Sequence, residues 1–241
     1  MQSTIVGLPS YTVRESKKAK KLRIKISLNG IEVIIPQGFD HKRIPEIVLS
    51  KRLWIEAAVQ RFEAQLKLFK LEQPHQLPEY ISLSAIAEKW HIEYHYTSDL
   101  KLALTEHSEQ RLIVLGNIHD IDACKSALRQ WIAEKAQSHL VPWLQTVSKM
   151  HQLPFGKTAI RGQKTRWASC SGYKTISINY RLLFLPQRLV DYVFIHELCH
   201  TVHLDHSQRF WDLVGEKEPS YKLLNSELRD AWRNVPLWIG W

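Results

Sequence analysis

The chain has 241 residues, 44% of them hydrophobic, and a formal net charge of +9, which is enough apolar material for one large or two small globular cores. Its three cysteines, Cys124, Cys170 and Cys199, are odd in number and widely spaced, which excludes a disulfide framework or a four-cysteine zinc ribbon and suits a reducing compartment. The N-terminus has no charged start followed by an apolar run, and no stretch reaches the ~18 apolar residues of a membrane span. The expectation is therefore a cytoplasmic protein with no membrane partner, whose positive charge leaves nucleic acid open as an acidic one.

In chain order, "LRIKISLNGIEVII" (Leu22 to Ile35) alternates apolar and polar residues around Asn29-Gly30, a pair suited to a tight turn, and predicts a β-hairpin. Asp40 then suits an N-cap, and Ile44, Ile47, Val48, Trp54, Ile55, Ala58 and Phe62 keep helical spacing as far as Lys70, in one long helix broken at most once. Pro74 and Pro78 separate this region from alternating runs at "WHIEYHY" and "RLIVL", which predict strands. From Asp120 a helical pattern runs to Met150, with Pro142 placed to kink or split it. "KTRWASC" and "KTISINYRLLFL" predict two more strands, and Pro186 suits the first turn of a helix leading into "VFIHELCHTVHLDHSQRFW". No repeat is visible by eye. The class is α+β, divided into a basic hairpin and helix region over 1–78, a β-rich connecting region over 79–117 and a metal-binding domain over 118–241.

The histidine run on that last helix carries the chemistry. His196 and His200 are four apart, so they lie on one helical face roughly 6 Å apart, close enough to share a metal ion. Glu197 projects beside them, placed to take a proton from a zinc-activated water during attack on a peptide carbonyl. A catalytic zinc site needs a third protein ligand. His203 returns to the ligand face but lies about 10 Å along the axis, whereas His206 can reach only if the chain leaves the helix between His203 and Ser207. His206 is the preferred third ligand, with Glu216, Glu218 and Glu227 as alternatives. Cys199 points away from the ligand face and belongs in the core.

"RGQKTRWASCS", "ISINYRLLFLP" and "DYVFIHELCHTVHLDHSQRFW" resemble the consecutive signature blocks of the YgjP-like metallopeptidase family, zincin-like proteins distantly related to the SprT-like group. The N-terminal hairpin and "KRLWIEAAVQRF" resemble that family's leading region, so the likeness covers nearly the whole chain. It implies a zincin-like domain with a small sheet whose outer strand lies beside an active-site HExxH helix. It also implies His196, His200 and His206 as ligands of Zn2+ and Glu197 as the catalytic base. Where the family usually reads W-G-S-C, this chain has Trp167-Ala168-Ser169-Cys170, which adds a methyl at Ala168.

Other residues carry weaker expectations. Arg166, Trp167 and Asn179 are candidates to line a substrate cleft, since an extended peptide can pair with a strand edge; the competing reading packs Trp167 in the core and spends Asn179 on backbone groups. Asp212 is a candidate partner for a ligand histidine, and Tyr180 and Tyr221 are candidate oxyanion donors. Lys17, Lys18, Lys20 and Lys21 sit in a basic run that can bind nucleic-acid phosphates or can guard a solvated sheet edge. Two functions follow: a zinc-dependent peptidase acting on a polypeptide substrate, or a zinc-stabilised nucleic-acid-binding module using the basic hairpin. Glu197 favours the peptidase, because a structural zinc needs no carboxylate beside it.

Overall fold

The computed structural model describes residues 2–3, 10–17, 19–27, 30–60, 76–98 and 101–240. The chain divides into two compact units, Met1–Gln73 and Pro74–Trp241. In the first, β1 (Gln2–Ser3), β2 (Tyr11–Ser16), β3 (Arg23–Ser27) and β4 (Gly30–Pro36) form a sheet in the order β1-β2-β4-β3. The expected hairpin is β3 with β4, antiparallel, with Ser27 opposite Gly30. Gly30 takes φ 94°, a conformation open to glycine because it has no Cβ. Leu28 and Asn29 lie outside the described residues.

Alternation along β4 buries Ile31, Val33 and Ile35, and β2 runs parallel to it. Asp40 accepts the Lys42 N–H at 3.0 Å and starts a short 3-10 turn, His41–Arg43. Helix α1 (Ile44–Ser50) follows, breaks once at Lys51 and resumes as α2 over 52–60. Ile44, Val48 and Ile55 close a small core with Tyr11 and the β4 residues. Trp54, expected on the same face, is half exposed. The expected continuation through Phe62 to Lys70 lies outside the described residues. So does Lys18, while Lys17, Lys20 and Lys21 are exposed between β2 and β3.

The second unit opens with β5 (Tyr80–Leu83), β6 (Glu88–Tyr96), β7 (Ala103–His107) and β8 (Arg111–Gly116), in the order β5-β6-β8-β7. β6 and β8, the two predicted strands, pair in parallel; β5 and β7 flank them antiparallel. Asp120 accepts the Ala123 N–H at 2.9 Å and caps α3 (Ile121–His151). Of the expected kink or split at Pro142, the split does not occur: the helix runs for 31 residues with Pro142 inside it. Proline removes one N–H from the ladder, and packing of Leu140, Leu144 and Val147 into the core outweighs the loss.

A three-stranded sheet follows, made of β9 (Thr158–Arg161), β10 (Ala168–Cys170) and β11 (Ile176–Asn179) in the order β10-β11-β9. Both predicted strands here are shorter than expected. β10 begins only at Ala168, and after Asn179 the run Tyr180–Phe184 is a 3-10 turn. A short apolar run such as Leu182–Leu185 has the same pattern in a buried strand and a buried helix, and the Asn179 side chain decides by accepting the Arg181 N–H at 3.1 Å. Helix α4 (Gln187–Cys199) then begins after Pro186, which is its N-cap, one position earlier than expected. Helices α5 (Gln208–Lys217) and α6 (Tyr221–Asp230) complete the unit. One core joins Ile81, Leu112, Leu144, Ile178, Phe194 and Phe210, so the β5–β8 sheet and the α4 region share it. Among the described residues no helix is long and apolar enough to cross a membrane.

Candidate metal centre

α4 is a buried helix, and that is why its histidines are held firmly. Val190, Val193, Phe194 and Leu198 face the core, while Trp143 of α3 donates its indole N–H to Asp191 at 2.7 Å and meets Phe194 edge-on. The helix ends at Cys199, earlier than the expected exit between His203 and Ser207. Thr201 is the cause: its hydroxyl and its N–H both donate to the Leu198 carbonyl, at 2.7 and 2.9 Å, and draw the chain into a tight turn. The Val202 and His203 N–H groups then share the Cys199 carbonyl. The turn carries His206 back to the helix, where its Nε2 lies 3.3 Å from Nε2 of His196.

His196, His200 and His206 each offer a ring nitrogen, and these three atoms lie within 4.8 Å of one another. His200 Nδ1 lies 2.9 Å from the His203 carbonyl, so as a neutral ring it donates there and leaves Nε2 as a lone pair toward the cluster. Phe210, fully buried, forms the floor: its ring stacks on His200 with centroids 4.3 Å apart and meets His196 and His206 edge-on. Trp211 lies against His206, and Tyr221 stacks on Trp211. Burial and the neighbouring histidines hold His196 well below the ordinary imidazole range, at about 3, so the ring stays neutral and available as a ligand. Burial pushes His200 in the same direction.

These donors fit a metal ion. Two imidazole nitrogens bound to one zinc at about 2.0–2.1 Å with a tetrahedral angle lie about 3.3–3.4 Å apart, and the His196–His206 separation is 3.3 Å. The alternative carboxylates are engaged elsewhere: Glu216 pairs with Lys217, Glu218 accepts the Ser220 N–H and Glu227 pairs with Arg188.

Glu197 is buried beside the triad, and burial pushes its carboxyl up to about 7, against the opposing pull of the Cys170 backbone hydrogen bond and the Arg166 charge. β10 packs on α4 through that bond. Ala168 is buried opposite Ile178, so its methyl is absorbed by the core. Trp167 is buried and stacked on Trp232 with centroids 3.7 Å apart. Asn179 is fully buried, and its amide donates to the Gln163 and Arg166 carbonyls at 2.7 and 2.8 Å. The Arg166 side chain is exposed. Asp212 accepts from Gln208 at 2.7 Å, and the carbonyl of His203 is the group that orients His200 in its place. Cys199 is buried in the core as expected. Sequence reasoning missed Phe210 and that carbonyl; the apolar pair Phe210-Trp211 directly after the histidine run was the available signal for the first.

A buried HExxH helix, a third histidine returned by a tight turn and a strand packed on the glutamate define a metal-dependent hydrolase. The family model described as "YgjP-like, metallopeptidase domain" matches residues 20–231. The chain belongs to this YgjP-like family of metallopeptidases. Among solved structures it is similar to the metallopeptidase zymogen of Pyrococcus abyssi abylysin, at 27% identity over 35% of this chain and 87% of that one, with a TM-score of 0.32. No curated protein matches.

Proposed function

We propose that the chain hydrolyses peptide bonds with one zinc ion held by His196, His200 and His206 and with Glu197 as general base. The approach of His206 to His196 at 3.3 Å, beside a buried carboxylate, carries this reading. When bound, zinc supplies Lewis acidity, lowering the pKa of water to about 7 and polarising a carbonyl. Glu197 is held by the Cys170 N–H on one side, which aims the carboxylate and leaves an oxygen for the attacking water. It takes a proton as the oxygen–carbon bond forms, then delivers it to the amine nitrogen as the carbon–nitrogen bond breaks.

Substrate binding falls to β10, which is the outer strand of its sheet. The Trp167 carbonyl accepts from the Asn179 N–H and the Ser171 N–H donates to Thr175, so by alternation the backbone groups of Ala168 and Cys170 point to the outer edge, where the Cys170 N–H meets Glu197 and the Ala168 groups and the Cys170 carbonyl are left for substrate. An extended peptide pairs there. In this reading Asn179 and Trp167 act on substrate indirectly, by fixing the loop before β10, and Arg166 acts directly. A structural zinc would leave Glu197 without a task, which favours hydrolysis over a binding module. The test is Glu197→Gln against a panel of unfolded proteins. The variant should keep its fold and zinc and lose about 100-fold or more in rate, because the amide cannot accept the proton. Cutting at the parent rate would remove Glu197 as the base.

A further inference from the structure

The strands on one side of the site carry charge of one sign. No Asp or Glu occurs between Glu134 and Asp191, the stretch that contains β9, β10, β11 and their connections. Several of its cations are accounted for: Lys135 pairs with Glu106, Arg188 with Glu227, and Arg181 is buried against the Gln163 and Gly240 carbonyls. Lys157, Arg161, Lys164, Arg166 and Lys174 are exposed. Among the described residues none of these five forms an ion pair with a carboxylate.

Their placement follows from the fold. Arg161 ends β9, Lys164 and Arg166 lie on the loop into β10, and Lys174 lies in the turn from β10 to β11, where its N–H donates to the Ser171 carbonyl at 2.8 Å. The loop is pinned, since the Gln163 carbonyl accepts from both Asn179 and Arg181 and the Arg166 carbonyl accepts from Asn179. Arg166 is therefore fixed before one end of β10 and Lys174 beyond the other. The Arg166 charge reaches the Glu197 carboxylate, and the Lys174 charge reaches Cys170. A segment laid along the outer edge of β10 runs between the two cations. Backbone pairing at that edge reads no side chains, so selection must come from what flanks it. Exposed cations are each weak in isolation, but several of one sign steer and orient an oppositely charged chain.

We propose that the polypeptide taken by this site is acidic, a segment with Asp or Glu on either side of the bond to be cut, paired along β10 and held by Arg166 at one end and Lys174 at the other. This names the substrate class of the hydrolase described above and rests on that reading. A nucleic acid can engage the same cations but has no peptide backbone to pair with the open edge, and that edge lies directly beside Glu197.

Binding can be measured apart from cutting. The full chain carrying Glu197→Gln is titrated, with zinc and without it, with fluorescein-labelled peptides identical except for Glu or Gln flanking the central bond, and with a single-stranded RNA of equal length. At low salt the Glu peptide should bind at least about tenfold tighter, and the difference should shrink as salt rises. Arg166→Gln combined with Lys174→Gln should bring the two peptides within about twofold, whereas Lys89→Gln combined with Lys101→Gln, the same loss of two exposed charges but on β6 and in the loop before β7, should leave the preference in place. Equal affinity for the two peptides, or a preference that survives the double substitution, overturns the proposal. RNA binding tighter than the Glu peptide and lost with the same substitutions also overturns it, by assigning the surface to nucleic acid. The zinc-free arm keeps the two readings apart: charge preference there depends on the cations alone, while failure of the parent chain, with Glu197 in place, to bind zinc or to cut counts against the hydrolase.

Discussion

The sheet of the first unit and the β5–β8 sheet of the second are wired alike. Each has an outer strand antiparallel to an inner one, two inner strands parallel, and a second outer strand antiparallel. Each hands over to a helical segment begun by an aspartate that accepts a backbone N–H, Asp40 in one and Asp120 in the other. An ion pair crosses each parallel ladder with the signs exchanged: Arg14 of β2 holds Glu32 of β4, while Glu93 of β6 is held by Arg111 of β8. The Arg111 guanidinium keeps Glu93 down at about 2. The difference lies in what each sheet supports. The first closes a core of its own around Val33, Ile35 and Ile55. The second merges its core with α3 and α4 and so backs the histidine helix. The same topology thus serves as a separate module in one unit and as a foundation for the site in the other.

Core substitutions should break this symmetry most visibly. Phe194→Ala in the second unit should cost about 3–5 kcal/mol of stability and weaken zinc binding with it. Ile35→Ala in the first should cost about 2–5 kcal/mol there and leave zinc affinity unchanged. Hydrogen exchange with parallel zinc titration separates the two, and loss of zinc in Ile35→Ala would show that the units are energetically coupled. Next in size is the choice of histidine. His206→Ala should lower zinc affinity about 100-fold or more, a larger loss than removing a group that merely orients a ligand. His203→Ala should change it only a fewfold, because His203 contributes its backbone carbonyl and alanine retains it. The reverse order would reassign the third ligand. Smaller again are the caps: Asp120→Ala and Asp40→Ala should each cost about 1 kcal/mol, read by exchange at the start of the helical segment that each one caps. Smallest is Lys17, Lys20 and Lys21 to Gln, which should leave zinc affinity and hydrolysis within about twofold, as exposed charges contribute little to stability.

The centre of the candidate site was legible in the amino-acid order, because His196, Glu197 and His200 are related by helical geometry alone. His206 was legible only through turn chemistry, and there the reading was too late in the chain: the helix was expected to persist past His203, yet Thr201 turns it by capping the Leu198 carbonyl. The 3-10 turn at Tyr180–Phe184 was misread as strand because the short apolar run Leu182–Leu185 has no period to tell the two apart. The likeness of the two sheets was hidden for a related reason. Alternation marks a strand but carries no direction, so parallel pairing of β2 with β4 and of β6 with β8 leaves no mark in a single strand. One trace survives in the helices, where Arg52-Leu53-Trp54-Ile55 and Arg129-Gln130-Trp131-Ile132 both bury their isoleucine. Phe210 was missed although the apolar pair Phe210-Trp211 marked a buried face, because what that face packs on depends on α5 folding against α4 and not on any local pattern.

The claim on which the rest depends is that the three histidines form one metal site. Metal analysis of the folded, zinc-loaded chain after removal of free ion tests it directly. The account predicts about one zinc per chain, as three protein nitrogens with an open fourth position require. A folded chain that retains no zinc would contradict it.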